Sequence, residues 1–159
     1  MKKSVLFVCW GNICRSPSAE AVFTAVVKKA GLEHEYEIDS AGTIAAHSGE
    51  RADARMQSHA VKRGYNLTSI SRKINPAVDF DRFDYIVAMD DHNVSDLMYL
   101  SRNENDWKKI TRMTDYCTKF SDHNSVPDPY YGGASGFELV LDLLEDACEG
   151  LLEHIQNEN

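Results

Sequence analysis

Two short runs of unbroken apolar sequence, Val5 to Cys9 and Tyr85 to Met89 (YIVAM), constrain this chain more than anything else in it. A strand without polar alternation has to be covered on both faces, which calls for helices above and below a sheet. The intervening sequence supplies them. Ser16 offers an N-cap oxygen and Pro17 suits the first helical position, so a helix is expected from about Pro17 to Ala30, ended by Gly31. Its apolar residues Ala21, Val22, Ala25 and Val26 fall at helical spacing. Tyr36 to Asp39 alternates as a short strand before the turn Ser40-Ala41-Gly42, and a loop of small residues, 43–52, leads to a helix from about Asp53 to Arg63. A helix over 91–101, a fainter strand signal at Lys109 to Met113, a long loop over 116–134 and a closing helix from Gly136 to Ile155 complete the pattern. Strands alternating with helices in one short chain predict an α/β fold: a small doubly wound four-stranded parallel sheet with helices on both faces, in a single domain. Such sheets bind ligands at the carboxyl ends of their strands, where the strand order reverses, and Cys9, Ser40 and Asp90 all fall at that end.

Charge and cysteine usage narrow the function. A net charge of −8 argues against nucleic-acid or anionic-membrane partners, which select basic surfaces, but leaves room for a small anion held by a local positive site. Lys2 and Lys3 before an apolar run imitate a signal peptide, yet the run is short and breaks at Gly11-Asn12, and no stretch approaches the length of a membrane span. A cytoplasmic location is therefore expected. Cysteines 9, 14, 117 and 148 show no C-x-x-C pairing and look like reduced thiols. The six histidines form no ligand-spaced pair, so no metal or other cofactor is expected.

The loop from Cys9 to Ser16 is where chemistry concentrates. A loop entering a helix N-terminus aims backbone N–H groups into one concavity, which favours an anion. Gly11 permits unusual backbone angles and Asn12 tolerates the left-handed region. Arg15 adds a planar fork that can hold two phosphate oxygens, and the same positive surroundings favour a thiolate at Cys9. A thiolate facing a bound phosphate, with cationic donors on its oxygens, is arranged for attack on phosphorus. The sequence has neither the glycine-rich loop of nucleoside triphosphate enzymes nor that of dinucleotide enzymes.

The stretch VCWGNICRSP (8–17) resembles the C-x-G-N-x-C-R-S-P signature of the low-molecular-weight protein tyrosine phosphatases. The likeness continues through DSAGT (39–43), FDYIVAMD (83–90) and PDPYYGG (127–133). It implies hydrolysis of phosphotyrosine in a tyrosine-phosphorylated protein partner, through a phosphocysteine on Cys9, with phosphate or a similar oxyanion seated in the loop Trp10, Gly11, Asn12, Ile13, Cys14. Arg15 would clamp the oxygens, Ser16 would donate to the Cys9 sulfur, and Asn12 would hold the loop with Ser40 as partner. Asp128 would be the general acid and then the base, stiffened by Pro127 and Pro129, with Tyr130 and Tyr131 walling the pocket mouth. Asp90 either orients Arg15 or caps the next helix. Cys14 is either structural or, as the resemblance suggests, a reversible disulfide partner of Cys9. Trp10 is bulkier than the aliphatic residue expected beside the nucleophile. His47 stands where substrate selection varies, or is simply an exposed loop residue. In TSISRKI (68–74) a serine replaces a histidine found in some members. A thiol-dependent arsenate reductase on the same fold would need two further cysteines close in sequence, whereas Cys117 and Cys148 are far apart. A binding module without turnover would have no use for Asp128.

Overall fold

The computed structural model describes residues 2–130 and 132–158. Four parallel strands, β1 (Lys3–Cys9), β2 (Tyr36–Gly42), β3 (Tyr85–Ala88) and β4 (Ile110–Arg112), form one sheet in the order β2-β1-β3-β4. Among the described residues six α-helices join and cover them: α1 (Arg15–Lys29), α2 (Ala54–Val61), α3 (Pro76–Arg82), α4 (Asp91–Leu100), α5 (Glu104–Lys109) and α6 (Ala134–Asn157). The chain steps from β1 out to β2 and then returns to the other side of β1 for β3. The order reverses beside β1, so the ligand crevice of such a sheet opens at the carboxyl end of that strand.

Side-chain alternation divides the core in two, as a sheet covered on both faces requires. Val5, Phe7 and Val87 point into one cluster with Val22 and Phe23 of α1 and Leu141 and Leu144 of α6. Leu6, Val8, Ile86 and Ala88 point into the other, with Phe80 of α3, Phe83 and Leu97 of α4. Each run expected to be a buried strand is one: Val5 to Val8 and Ile86 to Ala88 are fully buried.

Several boundaries differ from the sequence reading, for physical reasons. The β2 strand extends past Asp39 through Gly42, because its ladder with β1 continues until Cys9 faces Gly42. The α1 helix starts at Arg15, with Cys14 at the cap and no side-chain capping bond there, so Ser16 is not the N-cap. Its hydroxyl is engaged by Cys9 and Asn12 instead. Two short helices were not expected. The α3 helix has a side-chain cap from Asn75 and proline in its first turn, and α5 is capped by Asn103. In α5 the polar run buries only Asp106, so no apolar period marks it.

The loop between β4 and α6 is tied to the core at its base. The carboxylate of Asp146 accepts from the backbone N–H groups of Thr118, Lys119 and Phe120 and from the Thr118 hydroxyl. Burial opposes the charge of Asp146, but these donors hold its pKa below the usual carboxylate range. Farther along α6, Gly150 lies so close to the Tyr116 carbonyl that a Cβ there would overlap the oxygen. Glycine to alanine in a helix interior ordinarily stabilises by about 1 kcal/mol. Here the overlap reverses the sign: Gly150→Ala is expected to destabilise by ~1–3 kcal/mol in urea denaturation, and a gain would contradict this packing.

Candidate active site

The cleft at the end of β1 is lined by the loop that joins β1 to α1, by His47 and by Asp128 and Tyr130 from the loop before α6. Cys9 forms its floor. Its sulfur lies 3.0 Å from Ser16 Oγ and accepts from the Asn12 N–H at 3.3 Å. It is 3% exposed, so what reaches it must enter the cleft.

Asn12 organises the loop. It alone among the described non-glycine residues has positive φ, 57°, the left-handed conformation anticipated for it. Three side-chain hydrogen bonds hold it there. Its Nδ2 donates to Ser16 Oγ (2.7 Å) and to Ser40 Oγ (3.0 Å), and its Oδ1 accepts from Arg72 N (3.0 Å). Ser40 Oγ in turn donates a hydrogen bond to Glu20 Oε1 at 2.6 Å. Burial holds the Glu20 carboxyl above its usual range despite that bond. A chain of polar contacts thus runs from Glu20 on α1 through β2 to the Cys9 sulfur.

Gly11 does not use the positive φ its type permits. It lies close to the rim instead, where a Cβ would come 3.1 Å from His47 Cδ2, a tight contact that the His47 side chain would have to relieve. Gly42, at the end of β2, lies against the same loop, where a Cβ would come 2.7 Å from the Trp10 carbonyl oxygen. Thr43 N–H donates to the carbonyls of Cys9 and Trp10, and Asp53 N–H donates to that of Ile13 at 2.8 Å. In the segment that carries serine in place of histidine, Ser71 Oγ donates to Gly11 O at 3.0 Å. The loop is therefore braced from β2, from α2 and from residues 71–72.

Arg15 is 3% exposed. Its Nη1 donates to Asp90 Oδ2 at 2.6 Å and to the Val126 carbonyl at 3.1 Å, while Nη2 lies 3.8 Å from Asp128 Oδ2. Burial opposes the guanidinium charge, but the neighbouring Cys9, Asp90 and Asp128 keep its pKa raised. Asp90 fills both roles considered for it: Oδ2 orients Arg15, and Oδ1 caps α4 by accepting from Asn93 N–H at 2.8 Å.

Asp128 stands across the cleft, its side chain 40% exposed, with Oδ1 accepting from Tyr130 N–H at 2.9 Å. Trp10 and Tyr130 are partly exposed at the rim, and Ile13 lines the wall. His47 does line the cleft, 6.5 Å from the Tyr130 ring and 3.2 Å from Glu50. Cys14 is buried, and desolvation, with the charges of Asp53, Cys9 and Asp128, raises its pKa so that it stays a neutral thiol. Tyr131 lies outside the described residues. Glu20, Asp53, Ser71 and Arg72 were not singled out from sequence. Glu20 alone carried a local signal, standing one helical turn after Ser16.

The two contributions of Asn12 are separable. Asn12→Gly keeps the left-handed backbone and loses the three side-chain bonds, while Asn12→Ala loses both. The alanine variant is expected to be about 1 kcal/mol less stable than the glycine variant, and both to bind inorganic phosphate more weakly. Denaturation and competitive inhibition by phosphate check this, and equal stability would contradict it.

The comparisons with known proteins agree with this geometry. A family model for the low molecular weight phosphotyrosine protein phosphatases matches residues 4–159. A low molecular weight protein-tyrosine-phosphatase of Streptomyces coelicolor is 43% identical, over 99% of this chain and 96% of its own. The crystal structure of a protein tyrosine phosphatase from Entamoeba histolytica, with Hepes in its active site, superposes with a TM-score of 0.95 at 46% identity, covering 99% of both chains. A Drosophila arginine phosphatase superposes with a TM-score of 0.89 at 34% identity, covering all of both chains. With its Cys9 to Pro17 loop at the switch point of a four-stranded parallel sheet, this chain belongs to the low molecular weight phosphotyrosine protein phosphatase family.

Proposed function

We propose that the chain hydrolyses phosphotyrosine and small aryl phosphate monoesters by two displacements at phosphorus, with Cys9 as nucleophile. The observation that carries this is the placement of the Cys9 sulfur at the floor of a cleft, in contact with Ser16 and the Asn12 N–H, with the Arg15 guanidinium and the Asp128 carboxyl on its walls.

In the first step the Cys9 thiolate attacks phosphorus in line with the departing phenolate. Arg15 and the loop N–H groups take the charge of the three equatorial oxygens. Asp128 Oδ1 is engaged by the Tyr130 N–H, which leaves Oδ2 to protonate the phenolate. In the second step Asp128 takes a proton from water as the water attacks the phosphocysteine. The Ser16 hydroxyl donates to the departing thiolate, while Asn12 Nδ2 fixes the position of that hydroxyl. Phosphate then leaves, and the thiolate is restored.

The aryl preference follows from the walls. Trp10, Ile13 and Tyr130 offer apolar and aromatic surface to a flat ring. The likeness to the Drosophila arginine phosphatase raises phosphoarginine as a second substrate. A guanidinium leaving group would meet the same apolar walls, which favours the aryl ester. Cys117 and Cys148 contact the carbonyls of Leu143 and Ala19, and burial raises both thiol pKa values, that of Cys117 to about 12. That setting does not suit the thiol relay of arsenate reduction.

The test is hydrolysis of p-nitrophenyl phosphate, a phosphotyrosine peptide and a phosphoarginine peptide in EDTA. Turnover of the first two, its loss in Cys9→Ser, and a fall of ~10²–10⁴-fold for the phosphotyrosine peptide in Asp128→Ala are expected. Turnover of the phosphoarginine peptide alone would transfer the assignment to that substrate.

A further inference from the structure

A continuous set of contacts links the phosphate loop to Tyr130 at the cleft through α2. Asp53 caps α2, and its backbone N–H donates to the Ile13 carbonyl of the phosphate loop at 2.8 Å. Its carboxylate accepts from Arg55 twice, Nε to Oδ1 at 3.2 Å and Nη2 to Oδ2 at 3.1 Å. The same Nη2 donates to the Tyr130 carbonyl at 3.1 Å. The guanidinium also lies over two rings, 5.2 Å from the centroid of Tyr130 and 5.1 Å from that of Phe137. Phe137 is 2% exposed on α6 and stacks with His59 of α2, so it forms a fixed base for that contact.

These contacts bear on Asp128 through one residue. The N–H of Tyr130 holds Asp128 Oδ1, and the C=O of Tyr130 is held by Arg55. Release of the carbonyl removes one restraint on residue 130, whose N–H orients the carboxyl. On the other side the loop is anchored at Val126, whose N–H donates to Met89 O and whose carbonyl accepts from Arg15. Asp128 itself is two-fifths exposed, so its direction depends on the backbone at either end.

We infer that Arg55 is a positioning residue for the general acid: it clamps the Asp128–Tyr130 segment at a fixed place relative to the phosphate loop, through Asp53 on one side and Tyr130 on the other. This rests on the phosphatase reading, in which Asp128 protonates the leaving group. The clamp needs a planar fork that binds a carboxylate and a carbonyl while lying on rings, which lysine does not provide.

The leaving group supplies the test. Phenolate needs a proton from Asp128 in order to depart, and p-nitrophenolate needs it far less. In Arg55→Met, kcat/KM for phenyl phosphate is expected to fall on the order of tenfold, and for p-nitrophenyl phosphate no more than about twofold. Arg55→Lys is expected to behave like Arg55→Met. With Asp128→Ala already present, Arg55→Met is expected to cost nothing further on phenyl phosphate beyond about twofold, because the group it positions is gone. A merely structural role would slow both substrates alike. An equal loss on the two esters, wild-type rates in either Arg55 variant, or a full additional loss on the Asp128→Ala background overturns the inference. Where wild type is active and Asp128→Ala shows the leaving-group effect but the Arg55 variants do not, the inference alone falls. Inactivity of wild type on both esters overturns the phosphatase reading, and the clamp with it.

Discussion

A guanidinium removed from water at the start of α1, beyond the end of a buried strand, is the constraint around which the rest is arranged. Taking a charge out of solvent costs several kcal/mol, and removing one partner of a buried ion pair typically costs about 3–5 kcal/mol. Arg15 therefore needs fixed compensation, which comes from the side chain of Asp90 after β3 and the carbonyl of Val126. Those partners lie just past the strand next to β1 and in the loop before α6. Seating one side chain thus draws together the switch point of the sheet and the loop that carries Asp128. A buried ion pair is a poor source of stability, so its presence here is better understood as holding a donor fork in place for an oxyanion.

The second constraint is the left-handed residue at the centre of the phosphate loop. Asn12 sits in a conformation that costs about 1–2 kcal/mol for most residues. It is held by hydrogen bonds to α1, β2 and the segment after residue 71. Strain in the loop is offset by contacts outside it, and the Ser16 hydroxyl that Asn12 orients is the one touching the Cys9 sulfur. Because Ser16 serves the sulfur, it does not cap the helix, and α1 begins two residues earlier than a capping argument suggests.

Legibility from sequence followed locality. The strands β1 and β3 were readable because burial on both faces removes polar alternation, and the phosphate loop because its chemistry lies within nine consecutive positions. Asp128 was readable only through the family resemblance, since an aspartate between prolines also fits an ordinary turn. The extent of β2 was hidden because a partner strand sets it. The braces on the loop, Ser71, Arg72 and Asp53, were hidden because each acts across a long sequence separation and none carries a distinctive pattern. The helix α3 left a readable trace in Asn75 and Pro76, whereas α5, short and polar, left only the asparagine at its cap.

The central claim is that phosphorus passes through the sulfur of Cys9. The most direct measurement is rapid acid quench during turnover of an aryl phosphate, followed by mass spectrometry of the peptides. The account predicts a phosphoryl group on the peptide that carries Cys9, with its attachment at sulfur and its amount falling as substrate is exhausted. Phosphate on any other side chain, or steady turnover with no phosphoenzyme at any quench time and direct attack by water on the ester, would contradict it.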